Sequence, residues 1–172
     1  MNKTYLFVLI LILLWVNPII AKTPAVEVRA VWLTTNYGLD WPRNRNSEEV
    51  QKRELSEILD NLKKQNVNTI RFQVRERCEV MFKSSIEPMS TLIAADKRGN
   101  ALFDPLAFVI EEAHKRGFDC HAWIVVYPLG SDKHVRSLGN KSVTKKRPDI
   151  VKKFRNEWFL DPGVPSTDDY LL

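Results

Sequence analysis

Two sets of side chains in this sequence could carry chemistry, and the first is a pair of carboxylates. Glu76 and Glu79 lie close together, just after a predicted strand. Carboxyl groups in such a place can give and take protons in general acid–base catalysis. Acidic residues of solvated loops are commoner than catalytic ones, so the sequence favours the loop interpretation for both.

The second set comprises the histidines and cysteines, which could bind a metal ion. The 3 histidines are scattered along the chain, and no Cys/His group has the spacing of metal ligands. The sequence also has no glycine-rich phosphate loop. We therefore expect neither a metal ion nor a cofactor.

Three predicted strands must position these side chains, at residues 26–35, 67–74 and 118–127. The third strand is almost continuously apolar, which is typical of strands covered on both faces. Helices separate the strands, and this order predicts βαβ units around a parallel sheet. A doubly wound sheet and a barrel begin identically, so periodicity leaves both folds open.

The two predicted helices carry local start and stop signals. The first begins after Asn46, in a capping-box-like position, and ends near Asn66. The second begins after Asp104, with proline in its first position, and ends at Gly117. After the third strand, residues 128–155 are rich in lysine and arginine. They predict a solvated loop with a short surface helix, and an anion-binding surface is the alternative.

The first residues predict export. Lys3 supplies a positive region, residues 5–16 are almost continuously apolar, and Ala21 offers a small residue for cleavage. This is the layout of a signal peptide, assigned to residues 1–21. The apolar run is short for a membrane span, which needs about 20 residues. Ile19 is bulky for a cleavage motif, so an uncleaved anchor stays open. We expect a periplasmic or extracellular protein that meets a membrane only through this segment.

Composition indicates one globular domain over residues 22–172. The whole chain is 44% hydrophobic and 27% charged, with a net charge of +5. This length is enough for one core. The modest charge permits acidic glycans as partners but gives no reason to expect nucleic acid.

Cys78 and Cys120 could form a disulfide in an exported protein. The predicted topology places Cys78 past the carboxyl end of one strand and Cys120 near the amino end of the next. At about 3.3 Å per residue, they lie much farther apart than the roughly 7 Å between Cα atoms that a disulfide allows. We expect two free, largely buried thiols.

A series of motifs in one order resembles a known family. The segments are residues 29–35 (RAVWLTT), 39–42 (LDWP), 72–75 (FQVR), 104–108 (DPLAF), 111–117 (EEAHKRG), 121–123 (HAW) and 160–163 (LDPG). Together they resemble glycosyl-hydrolase-like family 10, formerly a domain of unknown function. Residues 125–128 (VVYP) depart from the Asn-Pro-Tyr-Arg that is common there, and Glu79 stands where aspartate is common.

The resemblance implies an α/β fold, the N-terminal part (about three βα units) of a (β/α)8 TIM-type barrel. It implies an exported glycoside hydrolase that acts on bacterial cell-wall or other glycans. The family's catalytic acids are expected on later strands, so the chain is predicted to stop before them and to be inactive alone. Asp168 and Asp169 align with the start of a third helix and are not catalytic. The alternatives are a non-catalytic glycan-binding or interaction module, and a deacetylase, for which metal ligands are missing.

Barrel enzymes bind substrate at the carboxyl ends of their strands, so the resemblance implies a substrate-binding wall there. The wall for a poly- or oligosaccharide comprises Asn36, Trp41, Gln73, Arg75, His121, Trp123 and Tyr127. The aromatic rings could contact sugar faces, and Gln73 and Arg75 could hold a hydroxyl or a catalytic carboxylate. The alternatives are a rim-capping role for Trp41, a buried ion pair between Arg75 and an acid of a later strand, and a core position for His121.

Overall fold

The computed structural model describes residues 27–171, so the predicted signal peptide lies outside the described residues. Its main sheet has three parallel strands, β1 (Ala30–Leu33), β2 (Thr69–Glu76) and, after a short β3 (Glu79–Val80), β4 (Asp119–Ile124). β2 lies between β1 and β4, and β3 pairs antiparallel with the last residues of β2. The parallel arrangement confirms the α/β prediction.

Two helices connect these strands, and their ends follow from local capping. α1 (Glu48–Lys64) begins one residue later than predicted, because the Ser47 hydroxyl rather than Asn46 accepts the Val50 N–H, at 3.3 Å. α2 (Pro105–Lys115) begins as predicted: the Asp104 carboxylate accepts the Ala107 N–H at 3.0 Å. Both chain reversals after the helices use a left-handed residue, Asn66 after α1 and Gly117 after α2.

Both helices cover the same face of the main sheet. Alternate strand residues such as Leu33, Ile70 and Phe72 pack there against the apolar stripes of α1 and α2. Burying each of these side chains contributes about 1.5–3 kcal/mol, so this interface supplies most of the core of the first half of the chain.

The opposite face of the sheet is partly open. The register aligns Trp32, Arg71 and His121 in one row across the three strands, and it aligns Gln73 with Trp123 in the next. Trp32 is 53% exposed, and His121 is exposed as well. Within residues 27–171 the third strand is therefore only partly covered, and cover on both of its faces stays a prediction. Within the described chain β4 pairs only with β2, so its other edge and both faces remain partly open.

The basic stretch after β4 forms a second folded unit, which corrects the prediction of a solvated loop. Its elements are β5 (Pro128–Ser131), α3 (Asp132–Ser137), α4 (Val143–Lys146), β6 (Val151–Phe154), β7 (Glu157–Leu160) and α5 (Ser166–Leu171). The strands form an antiparallel sheet in the order β5-β7-β6. Its core comprises Cys78, Leu129, Val135, Leu138, Val143, Ile150 and Leu160. These apolar residues are widely spaced among lysines, so they meet only through tertiary packing.

The two thiols are free, as predicted. Cys120 pairs with Ile70 near the start of β2, whereas Cys78 follows the end of β2 and is buried in the second core. Burial raises the pKa of the Cys78 thiol to about 12, so it stays protonated at neutral pH.

Candidate functional site

The loop after β1 is held over the end of β2 by one glutamine. Gln73 Oε1 accepts hydrogen bonds from Thr34 Oγ1 at 2.7 Å, Thr35 N at 2.8 Å and Asn36 N at 3.0 Å. Its side chain is buried, with 2% of the residue exposed. Gln73 therefore positions the loop with this oxygen, and its substrate-binding role stays a prediction.

Arg75 occupies the next position on that face of β2, and its guanidinium makes four hydrogen bonds within the fold. Nε and Nη2 donate to the Glu87 carboxylate at 2.6 and 2.5 Å, and Nη1 donates to the carbonyl oxygens of Val125 and Val126. The alternative of a buried ion pair is correct, although the acid comes from the β3–α2 loop. Glu87 also accepts a hydrogen bond from the Tyr170 hydroxyl at 2.9 Å, which ties α5 to this network.

Trp41 lies in the main core, so its predicted contact with a sugar face is wrong. The residue has no exposed surface. Its indole Nε1 donates to the Gln51 carbonyl at 2.8 Å, and its ring lies 5.9 Å from that of Phe72. The ring anchors the β1–α1 loop to the start of α1.

Four predicted wall residues keep accessible surface. His121 is exposed, Tyr127 is 43% exposed just beyond β4, and Trp123 and Asn36 are half-buried. Asn36 Oδ1 is a buried acceptor without a hydrogen-bond partner among the described residues. Such an orphaned acceptor is uncommon in proteins, and it could take a donor from a ligand.

Trp32 extends this surface, and the sequence reasoning overlooked it. Its ring meets that of Trp123 edge to face, with the ring centroids 4.9 Å apart, and the Arg71 guanidinium lies 4.9 Å from its centroid. Because strand residues alternate between faces, the positions of Val31 and Leu33 in the core imply that Trp32 points the other way. That period-two signal was the one available in the sequence.

Tyr37 was also overlooked, and it lies at the rim of the same edge. The Arg77 guanidinium stacks on its ring at 3.8 Å, and Arg77 in turn makes two hydrogen bonds of 2.6 Å to Glu76. Tyr37, Arg77 and Cys78 all have positive φ, between 46° and 55°. Non-glycine residues in this region are strained, and such strain concentrates at functional sites. Tyr37 as a whole remains 62% exposed, so it adds aromatic surface at this rim.

The candidate acids Glu76 and Glu79 are both buried, each with 2% of the residue exposed. Glu79 accepts the Thr91 N–H at 2.7 Å, and His134 Nε2 lies 3.5 Å from its second oxygen. Burial raises the pKa of Glu79, against the opposing effects of the Thr91 hydrogen bond and His134. A raised pKa suits a general acid, but a buried carboxyl cannot reach a glycosidic oxygen. The fold uses both acids to hold the turn after β2.

No group of three His, Cys, Asp or Glu side chains in residues 27–171 is arranged to hold a metal ion. Over the same residues, no helix has the length and apolar character that a membrane crossing requires.

Comparison with known proteins places these observations in a family. Residues 27–172 match the family described as Glycosyl hydrolase-like 10. Glycosyl hydrolase YngK of Bacillus subtilis (strain 168) is 30% identical over 148 residues, which cover 85% of this chain and 29% of YngK. Glycosyl hydrolase DigH of Escherichia coli (strain K12) is 30% identical over 171 residues, covering 90% of this chain and 39% of DigH. The chain thus spans about a third of the length of these relatives.

Among solved structures, the chain is similar to a noncanonic maltogenic alpha-amylase, AmyB, from Thermotoga neapolitana. The TM-score is 0.48 at 14% sequence identity, and the match covers 85% of this chain and 34% of the amylase.

Proposed function

This chain belongs to the glycosyl hydrolase-like 10 family, and from that premise we propose that it forms one wall of the substrate cleft of an exported glycoside hydrolase. The proposed substrates are bacterial cell-wall or other glycans. The signal peptide that the sequence predicts for residues 1–21 supports export.

The observation that carries the proposal is the set of accessible aromatic side chains toward the carboxyl ends of the strands. Tyr37 follows β1, Tyr127 follows β4, and Trp123 is the penultimate residue of β4. Aromatic rings offer flat apolar surfaces with polar edges. A sugar ring presents C–H groups on its faces and hydroxyls around its edge, so these side chains suit a glycan.

The described elements fit the start of a barrel. β1, β2 and β4 lie side by side in chain order, and α1 and α2 both cover one face of them. The first half of a doubly wound sheet has the same arrangement, so the choice of the barrel rests on the family resemblance. We propose that the face bearing Trp32, Arg71 and His121 lines the interior of such a barrel.

The role proposed for this chain is binding rather than acid–base catalysis. Glycosidases use two carboxyl groups on either side of the scissile bond. Glu76, Glu79 and Glu87 are the carboxylates around the end of β2, and each is buried and already hydrogen-bonded within the fold. We therefore assign the catalytic pair to residues other than these three.

A titration of intrinsic tryptophan fluorescence with soluble cell-wall glycan fragments and neutral glucans tests the binding role. We expect at least one class of glycan to bind, and Trp123→Ala or Tyr127→Ala to weaken binding about ten-fold. Phe154→Ala is the matched control, because Phe154 is an aromatic residue on β6 that is 65% exposed. Absence of binding to every glycan, or equal loss in the Phe154 variant, would contradict the proposal.

An assay of reducing-sugar release tests whether this chain binds glycan without hydrolysing it. We expect the 172-residue chain to release none from any of these glycans. Turnover that disappears in Glu79→Gln would show that this chain carries its own acid. The second candidate function is a glycan-binding module. It would be identified if this chain binds glycan without turnover and if a longer protein that contains it also shows no hydrolase activity.

A further inference from the structure

A cavity of about 660 Å³ separates the two folded units near the carboxyl end of β2. One wall is the β3–α2 loop, residues 83–89, together with the turn at residues 99–104. Lys141 and Lys146 of the second unit form the other wall. Lys146 Nζ donates to the Ile86 carbonyl at 3.0 Å and so joins the two walls. The volume lies within the range of about 300–1,000 Å³ that is typical of ligand pockets.

The cavity is positively charged. Lys83, Lys141 and Lys146 line it, and none of them forms an ion pair within residues 27–171. Glu87 in its lining is neutralised by Arg75. Asp104 keeps its negative charge while it caps α2, so three lysines stand against one carboxylate in the lining, which leaves a net positive charge.

The lining is also partly apolar, which distinguishes it from a plain charged surface. Ile86 is 53% exposed, and Met89 and Phe103 lie beside it. A ligand that fits must offer both apolar C–H surface and negative charge. An inorganic ion has only the charge, and a neutral sugar has only the surface.

We propose that this cavity is a subsite for an anionic sugar, a residue that carries a carboxylate, sulfate or phosphate group. The inference rests on the proposed glycan-binding role and adds the substrate class: the glycan carries negative charge. Arg75 links the two sites, because it pairs with Glu87 in the cavity lining and also bonds Val125 and Val126 beyond β4. An anionic sugar in the cavity would thus lie next to the aromatic wall.

Isothermal titration at low ionic strength tests the subsite, with tri-galacturonate and neutral galactotriose as the matched ligands. We expect the acidic trimer to bind more tightly, and added salt to reduce the difference. Lys83→Gln, Lys141→Gln and Lys146→Gln should each weaken its binding about two- to five-fold, as expected for partly exposed charges. Sulfated and phosphorylated monosaccharides then show which anion is preferred.

Lys145→Gln is the control. It removes the same charge from α4, but Lys145 faces a different, smaller cavity beside Asp132 and Trp158. Equal binding of the two trimers, or the same loss in the Lys145 variant as in the cavity variants, would overturn the subsite. Trp123→Ala distinguishes failure of the proposed aromatic wall from failure of the anionic subsite. If it leaves every glycan unaffected while the lysine variants lose the acidic trimer, the aromatic wall fails and the anionic subsite stands.

Discussion

Breaking the Arg75–Glu87 ion pair should destabilise this protein far more than breaking a surface pair of equal length. The Arg75 and Glu87 side chains are 9% and 6% exposed. Removing one partner leaves a buried charge without compensation, which costs about 3–5 kcal/mol. Since the total stability of a domain is about 5–15 kcal/mol, Glu87→Ala should lose at least about a fifth of it.

The chain supplies a matched comparison in Arg116 and Asp60. Arg116 Nε lies 2.6 Å from Asp60 Oδ1, the same distance as Arg75 Nε from Glu87 Oε2. The Asp60 side chain, however, is 55% exposed. Water screens such a pair, so Asp60→Ala should cost less than about 1 kcal/mol. Arg116 keeps its ion pair with Glu112 in this variant, whereas Arg75 has no second carboxylate partner among residues 27–171. At equal distance, the comparison therefore measures the combined effect of burial and of losing the only carboxylate partner.

Urea unfolding of a double-mutant cycle gives the coupling energy. Arg75→Met and Glu87→Leu should each be strongly destabilising, whereas the double variant should cost much less than their sum, because it buries no unpaired charge. Additive effects would refute the reasoning. So would a Glu87→Ala cost below about 1 kcal/mol, equal to that of Asp60→Ala.

Two further predictions concern titratable groups beside the turn after β2. Burial raises the pKa of Glu79 in the folded state, so the folded protein binds more protons than the unfolded chain above the ordinary value of 4.5. The free energy of unfolding should therefore fall as the pH rises from that value through the folded pKa. Glu79→Gln should flatten this pH dependence in a series of thermal melts. The same pH dependence in the variant and in the unmodified protein would contradict the prediction. Burial also raises the pKa of the Cys78 thiol to about 12. Thiol labelling of the native protein should therefore modify the partly exposed Cys120 first, and Cys78 only when the whole protein unfolds. Equal labelling rates for the two thiols would contradict this prediction and show that the second core opens locally.

The sequence determined those features that depend on near neighbours. The limits of α2 were predicted from Asp104 and Gly117, because a cap is a contact over three or four residues. The order of strands and helices followed from apolar periodicity, and the family followed from short motifs in one order. The free thiols followed from that order alone.

The tertiary structure decided which side chains of the wall can meet a ligand. Trp41 is buried because Gln51 and Phe72 close around it, and neither contact is visible in the loop sequence. Arg75 finds its acid at Glu87 and its carbonyl acceptors fifty residues away, at Val125 and beyond. Tertiary packing determines which partners are in reach. The sequence therefore cannot distinguish a polar residue at a strand end that is hydrogen-bonded within the fold from one that is free to bind a ligand.

The second folded unit could not be predicted from the sequence either. Its strands and helices are only four to six residues long, and Cys78 joins its core from the turn after β2, so apolar periodicity has too few residues to identify these elements. Only folding brings them together and turns their lysines outward, where Lys141 and Lys146 meet the β3–α2 loop. The sequence alone thus determined the parallel α/β order and the family, while the charged cavity and the exposed aromatic rim exist only because distant segments pack against each other.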